Sequence, residues 1–310
     1  MDVSIIMINY NTFDLAKDAI ESIFNYSKNF DYELVLIDNA SPDKSGEKLN
    51  NFFGEKIKYI SSNVNLGTSK AFNLALKECS GKYVLWINPD IIIKENFIYT
   101  LFDYMENNPD VGVCGGNVLD FEGKPHHSYM RKLPSFSTVK AEYNYIERAI
   151  KRLFKKKRSF QYNYLEKPIE VGYITGADIF IRSELFSNIG NFDENIFMYA
   201  EETEFCFRVK TQTNYKIMSV PFSHIYHLEG ASFTSSENKF NLKKYEIYNK
   251  GFMYYIKKCY GAKELKKIIS FLCKKNNQKS FFARLLNKKD IVLECKEKNR
   301  VLNEILLEYM

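Results

Sequence analysis

Residues 83–91 read Tyr-Val-Leu-Trp-Ile-Asn-Pro-Asp-Ile, and this stretch decides how the chain is read. Tyr83 to Ile87 is a continuous apolar, β-rich run, the pattern of a strand buried on both faces, as in a parallel sheet. It stops at Asn88-Pro89-Asp90, because Pro89 has no N–H to continue a ladder. The strand thus delivers an amide and a carboxylate to its C-terminal edge, where open α/β sheets bind ligands. The Asp90 carboxylate is a hard oxygen donor suited to Mg²⁺ or Mn²⁺. A plain Pro-Asp turn would also produce this tripeptide, so the rest of the chain must decide.

Working outward, apolar runs predict further strands at 3–8, 32–37 and 57–60. Helical spacing falls between them, at 13–27 (Phe13, Ala16, Ile20, Ile23, Phe24), at 44–53 and at 68–79. Such alternation predicts an α/β fold with a doubly wound, mostly parallel sheet. Three strand ends, at Asn9, Asp38 and Asp90, carry polar groups that converge on one crevice if the strands are neighbours. A helix over 94–107 and a short strand over 111–114 follow. Residues 120–168 are Pro-punctuated, Tyr-rich and basic and read as an insertion, with helical spacing at 141–154. Strand patterns return at 169–173, 179–181 and 217–220, with a helix over 201–210. From 239 onward the pattern is helical. Leu265, Ile268, Ile269 and Leu272 form an apolar stripe among Lys263, Lys266 and Lys267.

Composition narrows the classes. The chain has 310 residues, enough for one large α/β domain with an appendage or for two domains, and its 45% hydrophobic content supports a packed core. No run of about 18 apolar residues is present, so no spanning helix is expected. The N-terminus enters a strand directly and lacks the features of a signal peptide. The six cysteines are scattered without a C-x-x-C pair, the pattern of reduced thiols. Charge is uneven: residues 151–158 (KRLFKKKR) carry +6, residues 240–310 carry +10, and the remainder carries −10. Two basic attachments on an acidic body suit an anionic surface. The basic segments have apolar residues interleaved, Leu153 and Phe154 in one and the Leu265–Leu272 stripe in the other. Few aromatics are set out for base stacking, so a membrane fits better than nucleic acid. The competing reading is that the tail helices pack this stripe on the α/β domain and the lysines solvate it. Asn9-Tyr10-Asn11 has no glycine, which argues against the phosphate loop of a dehydrogenase or nucleotidyltransferase.

The motifs NYN (9–11), IDNAS (37–41), NLG…N (65–73), YVLWINPD (83–90), TGAD (175–178), IGNFDE (189–194), YAEETEFCFR (199–208) and H-x-E-G-A-S (227–232) run in an order that resembles the family 2 glycosyltransferases. Within them the chain looks most like bacterial rhamnosyltransferase-type enzymes of polysaccharide synthesis. The resemblance covers roughly residues 2–235. It implies a GT-A fold over 1–238, with a nucleotide-sugar-binding half (1–115) and an acceptor-binding half (116–238). A basic helical extension over 239–310 lies outside it. It implies inverting transfer from a nucleotide sugar, of dTDP-rhamnose or UDP-hexose type, with a divalent metal.

By the same resemblance Asn9 and Asn11 flank the base and ribose, and Asp38 hydrogen-bonds the base. Asn65, Lys70 and Asn73 line the nucleotide. Asp90 holds the second acidic position of D-x-D as metal ligand. Asn88 stands at the first position and can hydrogen-bond a ribose hydroxyl. His227 reaches the metal or diphosphate. Thr175, Gly176 and Asp178 fall on the acceptor side. The usual Glu-Asp pair is Glu201-Glu202 here. This puts the general base at Glu202, on a longer arm, with Glu201 as the alternative. Arg208 and Arg182 either contact phosphate or pair with the acidic cluster, and pairing is favoured; His224 is read as structural. The expected partners are a nucleotide sugar, a lipid-linked saccharide acceptor and the anionic inner face of the cytoplasmic membrane, where the protein is peripheral. The competing function is a catalytically silent scaffold of the same fold.

Overall fold

The computed structural model describes residues 1–143, 162–228 and 240–310. The described residues form two compact units, one of 1–133, 162–194 and 202–228, the other of 134–143, 195–201 and 240–310. In the first unit the four N-terminal apolar runs are strands: β1 (Val3–Asn9), β2 (Tyr32–Asp38), β3 (Lys58–Ser61) and β4 (Tyr83–Ile87). They lie parallel in the order β3-β2-β1-β4, with Val3 opposite Tyr32 on one side and Tyr83 on the other. Between them run α1 (Phe13–Tyr26), α2 (Ser45–Phe53) and α3 (Gly67–Leu76).

Strand periodicity explains why both sheet faces are apolar. Ile5, Met7, Leu34, Leu36, Leu85 and Ile87 point to one face, where they pack with Ala16, Ile20 and Ile23 of α1. Ile6, Val35, Ile37, Val84 and Trp86 point to the other and pack with Ala71, Phe72 and Ala75 of α3. The sheet is therefore covered on both sides, as the doubly wound reading requires.

Beyond β4 the sheet is mixed. After β5 (Ile91–Ile93) and α4 (Phe97–Asn107) comes β6 (Val111–Leu119). The short strands β7 (Tyr129–Met130), β8 (Ile169–Glu170) and β9 (Tyr173–Ile174) precede β10 (Asp178–Arg182). β10 lies antiparallel between β4 and β6. Then follow the short helix α6 (Glu184–Ile189), α7 (Glu201–Gln212) and the long strand β11 (Lys216–His227). β11 runs parallel to β6 and antiparallel to β5 and β8, completing a nine-stranded sheet. One sheet thus runs through both expected halves.

Sequence patterning ended the last strand at Val220, but β11 continues to His227. Pro221 explains the difference. The register against β6 shifts between Ser219 and His224, and a proline inside a strand sits at such an irregularity. The helix expected over 141–154, the 151–158 lysine run with Leu153 and Phe154, and Glu229 to Ser232 lie outside the described residues or nearly so; only its first three positions, at the end of α5 (Phe136–Glu142) and Tyr143, are described.

The second unit contains α5, α8 (Leu242–Tyr260), α9 (Ala262–Leu285) and α10 (Lys289–Tyr309). α9 and α10 form an antiparallel hairpin, tied by Asn276 to Asn299 at 2.9 Å and Lys279 to Glu294 at 3.2 Å. Leu265, Ile268 and Ile269 of α9 and Val301, Leu302 and Ile305 of α10 are buried. This corrects the expectation that the Leu265–Leu272 stripe faces a membrane: three of its four residues are core, with Leu272 half-buried. A 3.6-residue apolar period reports burial and does not say against what.

At the N-terminal edge of the sheet, Glu33 accepts from Ser4 at 2.6 Å and from the Ser80 amide at 2.7 Å, and pairs with Lys58 at 2.5 Å. Burial alone would raise its pKa, but Lys58, Ser4 and Ser80 outweigh it and hold Glu33 down at about 2. A depressed carboxylate stabilises the fold fully above its unfolded pKa and ceases to as pH falls through the folded value. With solvent screening at the exposed Lys58 ammonium allowed for, the cluster is worth about 2 kcal/mol. Glu33→Gln should therefore lower Tm at neutral pH by about 4 °C and flatten the stability profile between about pH 5 and pH 2. A parent-like acid limb in thermal melts would show that the cluster contributes nothing.

Candidate active site

Strands β1, β2, β4, β6 and β11 run in one direction, so their C-terminal ends open on the same edge of the sheet. Asn9, Asp38, Asn88 and His227 end or directly follow four of them. The chain reverses after Asp90 and β5 pairs with the end of β11, placing Ile91 opposite His227. The Leu228 amide extends this ladder, donating to the Asp90 carbonyl at 2.8 Å. As a result His227 Nε2 lies 3.1 Å from Asp90 Oδ1 and 3.4 Å from Asn88 Nδ2, across 137 residues of chain. The Asp90 side chain is buried and that of His227 nearly so. His126, which the sequence reading passed over, stands edge-on to His227 with ring centroids 6.2 Å apart. The His126-His127 doublet was its only signal.

Two neighbouring ligands of an octahedral ion bound at about 2.1 Å are about 3 Å apart. The 3.1 Å between Asp90 Oδ1 and His227 Nε2 matches that edge. No cluster of three or more His, Cys, Asp or Glu suited to a metal occurs among the described residues. The two donors therefore fit an ion that takes its remaining ligands from phosphate and water, as Mg²⁺ and Mn²⁺ do in phosphate sites. The imidazole favours Mn²⁺ of the two.

Asn9 is fully buried and faces inward. Its amide nitrogen reaches Asp38 at 2.7 Å and Ser45 at 2.8 Å, and its oxygen accepts from the Thr12 hydroxyl at 2.8 Å. The Ser41 hydroxyl and amide both donate to Asp38, at 2.5 and 3.2 Å. Asp38 thus stands oriented by Asn9 and Ser41 at the start of α2, where a helix N-terminus favours an anion. Gly46 makes room for it, since a Cβ there would fall 2.2 Å from Asp38 Cγ. The loop is tightly bent: Asn11, Ala40 and Lys44 all have positive φ. Asn11 is exposed beside it, its amide donating to Ser41 at 3.0 Å.

The structure gives other predicted residues internal roles. Asn73 is buried and clamps the Phe192 backbone, donating to its carbonyl at 2.8 Å and accepting from its amide at 3.2 Å. Asn65 is exposed and shapes its own turn, accepting from Gly67 at 3.0 Å and from Asn39 at 3.2 Å. Lys70 is exposed one turn into α3. Thr175 donates to the His127 and Ser128 carbonyls, and Gly176 lies over the Trp86 ring. Asp178 is wholly inside the sheet, accepting from the Gly116 amide at 2.6 Å. Burial pushes its pKa well above the usual carboxylate range, against the smaller lowering effect of the Gly116 amide.

Three acids open α7, and their surroundings differ. Glu204 is buried and bound by Arg208, whose guanidinium also reaches the Ile189, Gly190 and Asn191 carbonyls. Arg208 therefore pairs, as expected. Arg182 reaches the Val111 and Met105 carbonyls and lies 4.0 Å from Glu184, outside the acidic cluster of α7. Glu201 is 4% exposed, whereas Glu202 is half-buried and reaches solvent. Tyr199 and Ala200, just before this helix, both adopt φ in the left-handed region, at 68° and 76°. Such strain in non-glycine residues persists only where packing holds it. Gly251 of α8 supplies that packing, since a Cβ there would lie 2.3 Å from the Tyr199 carbonyl oxygen. His224 pairs with Glu95 at 3.4 Å, consistent with a structural role. Burial raises the Cys114 and Cys206 thiols, which leaves them inert.

The sequence profile described as glycosyl transferase family 2 matches residues 4–190, more than half of the chain. The match includes Asp38 and Asp90 and ends before Glu202 and His227. An uncharacterized glycosyltransferase of Rickettsia prowazekii is 26% identical over 81% of this chain and 71% of its own. A hexosyltransferase of Haloferax volcanii, named for low-salt glycan biosynthesis, is 26% identical over 68% of this chain and 62% of its own. Among solved structures, GalNAc-T7 with UDP, GalNAc and Mn²⁺ aligns with a TM-score of 0.56 at 16% identity. That alignment covers 81% of this chain and 47% of the other. The likeness shows the expected GT-A fold, and the chain spans about half the length of that neighbour.

Asp90→Ala and His227→Ala should each weaken Mn²⁺ binding in the presence of UDP by about tenfold or more, read from the free Mn²⁺ resonance. Parent-like affinity in both would remove the cation from this edge. Gly251→Ala should cost about 1–3 kcal/mol by forcing the Tyr199 carbonyl aside, measured by urea unfolding. An unchanged midpoint would show that the 198–200 backbone yields freely.

Proposed function

The chain belongs to glycosyl transferase family 2, and on that premise we propose that it transfers a hexose from a nucleotide sugar to a saccharide hydroxyl with inversion. The observation that carries this reading is the convergence of Asn88, Asp90 and His227 at one strand edge. Asp90 and His227 would hold the divalent cation. When bound, it neutralises the charge that gathers on the departing diphosphate.

The chain's own residues do the remainder. Asp38, oriented by Asn9 and Ser41, accepts a hydrogen bond from the base, while Asn11 and Lys70 stand exposed at neighbouring turns for the ribose and phosphates. Asn88 serves a ribose hydroxyl. Asn73 acts behind the site by clamping the turn at Phe192. Glu202 takes the proton from the acceptor hydroxyl as it attacks the anomeric carbon from the face opposite the leaving group. Its partial exposure favours it over the buried Glu201. Asp178, enclosed and bound by the Gly116 amide, orders the sheet at the start of β10, and Thr175 and Gly176 present the backbone beside it to the acceptor.

The donor is of dTDP-rhamnose or UDP-hexose type. The acceptor is a lipid-linked saccharide of surface polysaccharide synthesis, reached from the inner face of the cytoplasmic membrane. The naming of the Haloferax relative for glycan biosynthesis and the cationic C-terminal helices support this placement. No helix among the described residues is long and apolar enough to cross a membrane, which is compatible with peripheral attachment.

Thermal shift against UDP-, dTDP- and GDP-sugars with Mn²⁺ or Mg²⁺ should single out one donor, since a ligand bound only by the folded state raises Tm. With that donor, Glu202→Gln should keep the shift and lower kcat by about a hundredfold or more. If Glu201→Gln is the inactive variant and Glu202→Gln is not, the two roles exchange. Donor binding without turnover under any condition would favour a silent scaffold.

A further inference from the structure

The hairpin of the second unit buries one apolar set and exposes another. Leu265, Ile268 and Ile269 are inside, but Phe281, Phe282, Leu285 and Leu286, where α9 ends and turns, are 60%, 63%, 68% and 66% exposed. Ser280 and Ala283 of the same turns face inward, so the four large side chains stand outward together. Leu293, near the start of α10, is exposed as well. A group of large apolar residues at one hairpin end is unlike the singly scattered apolar residues of an ordinary surface.

Charge at this end is predominantly positive, with Asp290 and Glu294 at the start of α10 as the nearby acids. From Leu265 to Lys289 the chain holds no acidic residue, and from Lys274 to Lys289 it holds six basic ones. Lys279 pairs with Glu294, whereas Lys274, Arg284, Lys288 and Lys289 make no ion pair among the described residues. An open groove of about 990 Å³ between α9 and α10 repeats this chemistry, with Lys266 and Lys274 beside Ile269, Phe281, Phe282 and Leu306. A second copy of the chain would bring like charges together here, at a Coulombic cost. Apolar side chains ringed by cations suit an interface that is oily within and anionic at its surface.

We propose that the tip of the α9–α10 hairpin, residues 281–289, docks the protein on an anionic bilayer. Phe281, Phe282, Leu285 and Leu286 enter the headgroup layer, and Arg284, Lys288 and Lys289 meet the lipid phosphates. This deepens the membrane placement given under Proposed function and rests on that reading. It also relocates the contact from the buried stripe to the hairpin end.

The test is co-sedimentation of the full chain with phosphatidylcholine vesicles, with and without phosphatidylglycerol. The parent should pellet only with phosphatidylglycerol present, and less as salt rises. Phe281→Ser/Phe282→Ser should weaken binding by about tenfold or more with an unchanged melt, since both side chains are exposed. Arg284→Gln/Lys288→Gln/Lys289→Gln should weaken it severalfold and reduce its salt dependence, while Leu307→Ser, exposed elsewhere on α10, should bind like the parent. Parent-like binding by both tip variants would overturn the proposal. So would absence of vesicle binding together with self-association that the Phe281/Phe282 variant abolishes, which would assign the tip to a second copy. Donor hydrolysis, measured without lipid, separates this from the enzymatic reading. Tip-dependent docking by a chain that turns over no nucleotide sugar would sustain the docking and sink the activity.

Discussion

The site depends on a three-residue pairing: Ile91–Ile93 against Ile225–His227, antiparallel at the margin of the sheet. Pro89 ends β4, the chain turns back at once, and the returning strand locks onto the end of β11. Since side chains alternate along a strand, a slip of one residue would turn His227 to the opposite face. The register in place sets its imidazole against the Asp90 carboxylate. The ladder that closes the sheet therefore also brings Asp90 and His227 together, and it does so from apolar residues that carry no chemistry of their own.

The order of strands beyond β4 serves the same end. Inserting β10 antiparallel between β4 and β6 leaves β4, β6 and β11 running in one direction, so their C-terminal ends share an edge. That arrangement has a cost at Asp178, which starts β10 inside the sheet and is enclosed without solvent. Enclosure of that kind disfavours the charged form and raises the pKa of its carboxyl. The edge itself is stiffened by hydrogen bonds among Asn9, Thr12, Asp38, Ser41 and Ser45. Buried polar groups fully engaged in this way fix orientation more than they add stability.

Much of the first unit was legible in the sequence. The buried runs at Val3–Asn9, Tyr32–Asp38 and Tyr83–Ile87 and the helices between them announce themselves by period, because both faces of the sheet are covered and local pattern and global fold agree. Asp90 and His227 were legible as types at motif positions. The inward role of Asn9 and Asn73 was not, since an asparagine at a strand end reads alike whether it faces a ligand or clamps a neighbouring backbone. Strands β5 and β11 beyond Pro221 were hidden for another reason: three isoleucines after a Pro-Asp turn, and a strand interrupted by proline, lack the uninterrupted period that marks the others.

What the sequence determined by itself was the alternation of elements, the family motifs and the charge distribution, all of which are local or additive along the chain. The tertiary structure decided which of those residues meet. Contact across 137 residues between Asp90 and His227 depends on strand order and register, which no single segment encodes. The same holds for the C-terminal helices. Their apolar period favoured adhesion to a membrane, and only the tertiary structure showed that Leu265, Ile268 and Ile269 are consumed by packing while Phe281, Phe282, Leu285 and Leu286 are left outside. Hydrophobicity is a property of a residue, but exposure depends on its neighbours.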